Sequence, residues 1–298
     1  MRHKLHSNHN PVGYLYSLPW ILNFVIFILL PMGMSLFYSF TDFDLLSSPQ
    51  WIGFDNFVRM FTRDKYYMLA VKTTLHYVVW AVPVRLITAL LIATLLSGKH
   101  KHVSIYRTAM YIPSIIGDSV AVAITWRYLF GYDGAVNQLL MSLGLLTDKI
   151  GWITNPKFAA GTLIVLSGWQ FGSAMLIFLA GIKSIPGTYY EAAIVDGANP
   201  VQRYLHITLP MLSPVILYNV IMGIISAFMI FTQCMLITGG GPMRLTTYYN
   251  YNLYQQAFVN FDMGYASAMA WVMLVVIAAI TALIFKFSGK WVHYEAEG

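Results

Sequence analysis

The stretch YYEAAIVDGANPVQRYLHITLP, residues 189–210, lies between two long apolar runs. A polar connector between such runs needs only to join them, yet this one carries an architecture of its own. Glu191, Ala192 and Ala193 are good helix formers. Asp196 and Gly197 follow as an acid and a breaker, and Gly197 permits a sharp bend that a Cβ would resist. Asn199-Pro200 then reads as the start of a second helix, with Asn199 as N-cap and Pro200 in the first position. Glu191 is expected near the start of the first helix, where the helix dipole favours a carboxylate. Tyr204, Leu205 and Ile207 give the second arm an apolar side, and Pro210 is expected to close it. The stretch predicts a helix–bend–helix at a membrane surface, shaped to dock on something soluble.

The surroundings explain why a membrane is involved. The chain has 298 residues, of which 58% are hydrophobic and only 10% charged, against about 25% charged in soluble domains. That much apolar surface needs lipid as its solvent. A crossing helix needs about 20 apolar residues, and six stretches qualify: 14–40, 71–97, 107–130, 159–182, 211–237 and 264–287. Each is expected to be helical, because backbone groups in lipid must be satisfied within the segment. The chain therefore reads as an all-α integral membrane protein with six transmembrane helices. The first run is too long for a signal-peptide core and has no small-residue cleavage site after it, so it reads as a retained helix. Residues 1–13 form a tail and 14–298 one permease-like domain, with surface segments at 41–70, 183–210 and 238–263.

Basic residues set the orientation. Arg2, Lys4, Lys99, Lys101, Arg107, Lys183, Arg203, Lys286 and Lys290 fall on one side, with the acids Glu191, Asp196, Glu295 and Glu297. That side is read as cytoplasmic, with both termini and the 183–210 loop inside. The net charge of +6 is spread over loops and tails, which does not suit nucleic-acid binding. The single cysteine, Cys234, sits in an apolar run without metal-ligand spacing, and reads as a buried, inert thiol. The histidines offer no metal set: His3, His6 and His9 lie in the tail, and His100 and His102 in a short loop. In the 41–70 segment, Phe54, Phe57, Val58 and Phe61 follow helical spacing, which fits a short helix either lying on the outer membrane surface or packing on its own bundle.

The 189–210 stretch resembles the EAA motif of the membrane subunits of bacterial ABC importers, through Glu191-Ala192-Ala193, Asp196-Gly197-Ala198 and Leu209-Pro210. WIGFDNF at 51–57, the third apolar run with Pro113 and Trp126-Arg127, TGGGP at 238–242 and AFVNFDMGYASAMA at 257–270 extend the resemblance over nearly the whole chain. It is similar to the sugar-importing permeases of the maltose and glycerol-3-phosphate type. TGGGP points to the first permease of the pair.

The resemblance implies that Glu191, Ala192, Ala193, Asp196, Gly197, Ala198, Arg203 and Pro210 couple to an ATPase subunit. It implies that Thr238, Gly239, Gly240, Gly241 and Pro242 face an extracytoplasmic sugar-binding protein, with the glycines suited to a mobile loop. It also implies a second, distinct permease and two ABC ATPase subunits, set in the bacterial inner membrane. TGGGP lacks the Gly-Lys-Ser/Thr of a P-loop, and no such loop occurs in the chain. The chain is thus expected to bind no cofactor and to be no enzyme, with ATP and Mg on the partner subunits.

Two charges lie inside the apolar runs, Arg85 and Asp118. Intramembrane charges face a partner or a water-filled cavity. They fit an ion pair with each other, a pathway in which Arg85 attracts an anionic, uronate-containing oligosaccharide, or a pairing with the second permease. Asn23, Trp169, Gln170, Asn219 and Gln233 are polar or aromatic candidates for sugar contact, with Tyr251 in the loop before the last run. The alternatives are a self-sufficient secondary transporter or channel, or an importer permease for a non-sugar solute. The former should show ion-coupling acids in matching halves, and only Asp118 is membrane-embedded.

Overall fold

The computed structural model describes residues 11–98 and 103–293, with side chains from residue 16. The tail to residue 10, with Arg2, Lys4 and three of the histidines, lies outside the described residues. So do Lys99, His100, Lys101, His102, Glu295 and Glu297. The chain divides into two compact units, Met1–Arg63 with Gln255–Met273, and Asp64–Tyr254 with Leu274–Gly298.

The first unit begins with α1 (Pro11–Phe24), a π turn (Val25–Leu29) and α2 (Leu30–Tyr38). A minimal hairpin pairs β1 (Thr41–Asp42) with β2 (Gln50–Trp51). Within it, Asp44 Oδ1 accepts from the Ser47 and Leu46 amides and the Ser47 hydroxyl, and these bonds, the Ser47 amide first, hold its carboxyl below the usual range. A short helix, α3 (Asp55–Thr62), follows. The Asn56 amide donates to Ser39 O at 3.0 Å and Thr41 O at 2.9 Å. Arg59 pairs with Asp262 at 2.6 Å and lies 4.3 Å above the Tyr265 ring. Arg59, two residues past the 51–57 motif, thus ties α3 to the 257–270 stretch.

The second unit is organised on α4 (Lys65–Leu95), whose 31 residues span about 46 Å at 1.5 Å per residue. Asp64 caps it by accepting from the amides of Tyr66 and Tyr67. Ala81, Ala89 and Ala93 are fully buried along α4, and such small residues let neighbouring helices approach closely. Next come α5 (Val103–Ile116), α6 (Val120–Leu129), α7 (Ala135–Ser142), α8 (Ala159–Trp169) and α9 (Gly172–Ser184). The 183–210 loop contributes α10 (Gly187–Val195) and α11 (Pro200–Arg203), then a π turn (Tyr204–Thr208) and α12 (Leu209–Met211). Last come α13 (Ser213–Phe228), a π segment (Cys234–Thr238) and α14 (Tyr249–Tyr254), then the π turn Gln255–Val259 and α15 (Met263–Ser288), which enter or cross the first unit.

Three helices are long and apolar enough to cross a membrane alone, and three bent pairs bring the number of spans to six. The expected count holds, but the expected continuity does not. The third span bends by 97° between α5 and α6, the fourth by 42° between α8 and α9, and the fifth by 64° between α12 and α13. Side chains take over the backbone groups freed at these breaks. Ser119 accepts from the Val122 amide at 3.3 Å. Ser114 Oγ donates to Gln170 O and accepts from the Ser173 amide, both at 3.0 Å. Pro214, early in α13, has no N–H to continue the preceding helix.

The two π turns 25–29 and 204–208 share a cause. Each ends two residues before a proline, Pro31 or Pro210. Proline cannot donate to the fourth carbonyl back, and the i→i+5 bonds, Leu30 to Val25 and Leu209 to Tyr204, widen the helix there. Pro210 therefore does not close the second arm of the loop; the helix runs on to Met211.

Candidate functional site

The bends of the third and fourth spans and the end of α13 lead to one place. A cavity of about 280 Å³ opens where α5 meets α6, where α8 meets α9, and where α13 ends at Met229–Phe231. Its polar wall comprises Tyr77, Arg85, Ser114, Asp118, Ser167, Gln170, Ser226 and Gln233. Irregular backbone at membrane depth is tolerated only where it is covered by protein or lines such a cavity. Asp118 sits at the 97° bend, and its Oδ1 accepts from Gln233 Nε2 at 2.5 Å and Gln170 Nε2 at 3.5 Å. One carboxylate thus links the α5–α6 and α8–α9 breaks with the segment that follows α13.

Arg85 stands across this cavity on α4, half-buried. The ion pair expected between Arg85 and Asp118 is absent; neither residue joins the ion pairs Arg59–Asp262, Arg63–Asp55 and Lys149–Asp133. The two charges share a cavity, as similar depth suggested, but the amides of Gln170 and Gln233 occupy Asp118 instead. Arg85 has neither a hydrogen-bond nor an ion-pair partner among the described residues. It also borders a second cavity of about 210 Å³, with Ser173, Tyr218, Asn219 and Ser226.

Of the expected pathway residues, Gln170 and Gln233 join the charges in the main cavity, and Asn219 reaches the adjoining one while its amide donates to Val215 O. Trp169 belongs to the apolar core, 5.9 Å from the Trp126 ring. Tyr251 packs 6.2 Å from Phe231 under the glycine loop. Asn23 is exposed on α1 in the first unit. Tyr77 and the serines at 114, 167 and 226 went unremarked in the sequence, because a hydroxyl in an apolar helix commonly bonds its own backbone.

The TGGGP segment forms a braced turn. Gly239 and Gly240 have φ of 59° and 81°. Thr246 Oγ1 donates to Gly241 O at 2.6 Å, and Thr247 Oγ1 to Gly240 O at 3.0 Å. The glycines serve a tight path rather than slack. A cavity of about 410 Å³ lies beneath, lined by Arg127, Phe130, Tyr132, Thr154, Thr238 and Pro242 among others. Nearby, Asp133 bonds Lys149 at 2.6 Å and raises its pKa. Cys234 is buried, and its thiol donates to Thr246 O.

The 183–210 loop follows its reading closely. Gly197 has φ of 78°, and Asn199 and Gln202 form a reciprocal capping box ahead of Pro200. The first arm begins earlier than expected, at Gly187, so Glu191 lies one turn in and not at the helix start. The hydroxyls of Tyr190 and Thr208, 2.9 Å apart, tie the arms together. Thr94 at the end of α4 bonds Tyr204 at 3.3 Å. Around the bend, Ile194, Val195, Val201 and Leu205 are exposed, Val195 by 87%. Ala192 and Asp196 are exposed, Ala193 and Ala198 half-exposed, and Arg203 and Pro210 half-buried.

Bent apolar spans around a polar cavity, with a rigid surface loop on one side, define a membrane component of a transport system. The chain belongs to the family of binding-protein-dependent transport system inner membrane components, whose model matches residues 73–294. It is 54% identical over 290 residues to the probable ABC transporter permease protein YesP of Bacillus subtilis (strain 168), covering 97% of this chain and 94% of that one. It is 32% identical over 286 residues to the sn-glycerol-3-phosphate transport system permease protein UgpA of Yersinia enterocolitica, covering 95% of each. A crystal structure of a bacterial ABC transporter involved in the import of the acidic polysaccharide alginate matches with a TM-score of 0.80 at 26% identity, over 94% of this chain and 95% of that one. The resemblance read from the sequence is borne out, and the chain is a permease of the ABC importer class.

Proposed function

We propose that this chain forms half of the translocation pathway of an ATP-driven oligosaccharide importer, and that the sugar it passes carries carboxylates. The observation that carries this reading is Arg85, an arginine lining a polar cavity at membrane depth and in direct ion-pair contact with no acid among the described residues. A charge within the membrane faces a partner or a water-filled cavity, and a carboxylate on the sugar would supply a direct partner. Asp118 lines the same cavity and accepts from two neutral amides, so its charge faces Arg85 across the cavity without contact. The solved alginate importer, whose cargo is acidic, supports the same class.

The loop at 183–210 is the coupling element. Its rigid bend presents Val195, Val201 and Leu205 to a partner ATPase, one of two, and Glu191, Asp196, Arg203 and their neighbours shape that contact. ATP and Mg act on those partners. A second permease completes the pathway. The braced TGGGP turn meets the extracytoplasmic binding protein, which places the 183–210 loop and both termini in the cytoplasm.

The test uses the chain purified with its partner subunits in nanodiscs. ATPase activity and uptake are measured with the binding protein, across neutral and uronate-containing oligosaccharides. Uronates are expected to stimulate, and Arg85→Gln to lose that stimulation while basal ATPase activity remains. Stimulation by neutral sugars alone overturns the anionic assignment; failure to associate with an ATPase overturns the coupling reading.

A further inference from the structure

The apolar stripe of α3 has no role in this transport scheme, and its geometry is unusual. α3 is held by its polar side. Asn56 and Met60 are buried, with Asn56 bonded to two backbone carbonyls and Arg59 to Asp262. On the opposite side Phe54, Val58 and Phe61 are 69%, 46% and 58% exposed. A surface helix in water turns its apolar stripe inward, and here the hydrogen bonds fix the reverse. Trp51, 65% exposed, continues the patch. Its ring lies 5.5 Å from Phe40 and 6.0 Å from Phe37 of α2. The span from Tyr16 to Tyr38 has no buried residue in its apolar window, so the patch runs onto the surface of a membrane-crossing helix. Asp55 and Arg63, both exposed, mark the polar flank.

The geometry points to α3 and Trp51 as an interfacial anchor, lying at the boundary of headgroups and acyl chains in the leaflet where α2 ends. Acyl chains are the occupant, because the patch is continuous with the exposed apolar surface of a helix long and apolar enough to cross the membrane. Tryptophan at this level matches the aromatic belt of membrane proteins, and an apolar stripe opposite a polar one is the pattern of an in-plane helix. The inference stands on the first unit alone and does not depend on the substrate.

The test places the full chain, with the partner subunits that copurify, in nanodiscs whose lipids carry bromine either near the headgroup or at the acyl end. The chain has 8 tryptophans, so the emission of Trp51 is taken as the difference between wild type and Trp51→Phe. Shallow bromine is expected to quench that difference strongly and deep bromine weakly. No quenching by either would show that protein or water covers the patch. Stronger quenching by deep bromine would put Trp51 in the hydrocarbon core, and relief of quenching by added binding protein would give the patch to that protein. Each of these three results overturns the anchor.

Discussion

The chain bends at Gly197 and again at Gly117–Ser119, and the two bends are built differently. At Gly197 a left-handed glycine is followed by a capping box whose partners lie three residues apart. Every group the bend frees is satisfied locally, and the surface around it stays exposed. At Gly117–Ser119 the local bonds are the Ser119 cap and the Ser119 amide's bond to Ile116 O. The rest is held from afar: Asp118 by Gln233, 115 positions on, and Ser114 by Gln170 and Ser173, 56 and 59 positions on. A local bend is a rigid part that can be pushed as one piece. A bend held from afar joins several elements and fails when any one contributor is lost.

The hardest test of that contrast is Asp118→Leu. It strips two amide donors of their acceptor, at about 1–3 kcal/mol each. Thermal unfolding of the assembled complex should drop and uptake should vanish. Asp118→Asn keeps an oxygen where both bonds converge and should recover most of the stability; equal damage from both variants would break the argument.

Gly197→Val comes next. Nothing lies within 4 Å of a Cβ built there, so the cost is backbone strain alone, about 1–2 kcal/mol or more for a left-handed residue. The complex should assemble and hydrolyse ATP while uptake falls. Gly197→Asn, which tolerates this conformation, should transport nearly normally. If valine and asparagine behave alike, the bend is not what couples.

Asn199→Ala removes the cap at a cost of about 1 kcal/mol. Amide exchange in Val201–Arg203 should quicken while the cavity amides stay protected. The smallest effect belongs to Gln202→Glu, which preserves the box and should leave unfolding within about 0.5 kcal/mol of wild type. A larger change would mean that the local bend depends on distant contacts after all.

The same distinction governs what the sequence discloses. Gly197, Asn199 and Pro200 could be read directly because their determinants lie within one turn of each other. The six spans were legible from hydropathy, which is a property of each segment alone. The bends at Asp118 and Gln170 were not: Gly168 and Gly172 flank Gln170, but glycine is common inside membrane helices, and the break there is held by Ser114 on another span. Arg85 and Asp118 line one cavity without pairing, and two glutamines on other spans donate to the carboxylate instead. Pro210 looked like a stop, and a π turn carried the helix past it.

The meeting of the α5–α6 and α8–α9 breaks with the end of α13 also has a mechanical side. From the cavity, α5, α9 and α13 run toward the 183–210 loop, while α6, α8 and the 232–238 segment run the other way. For a rigid half pivoting at its break, displacement grows with distance from the pivot. The far ends would swing widely and the atoms at Asp118 would travel least. In the proposed importer the cavity would therefore act as a fulcrum, with work applied at the loop moving the mouths more than the walls.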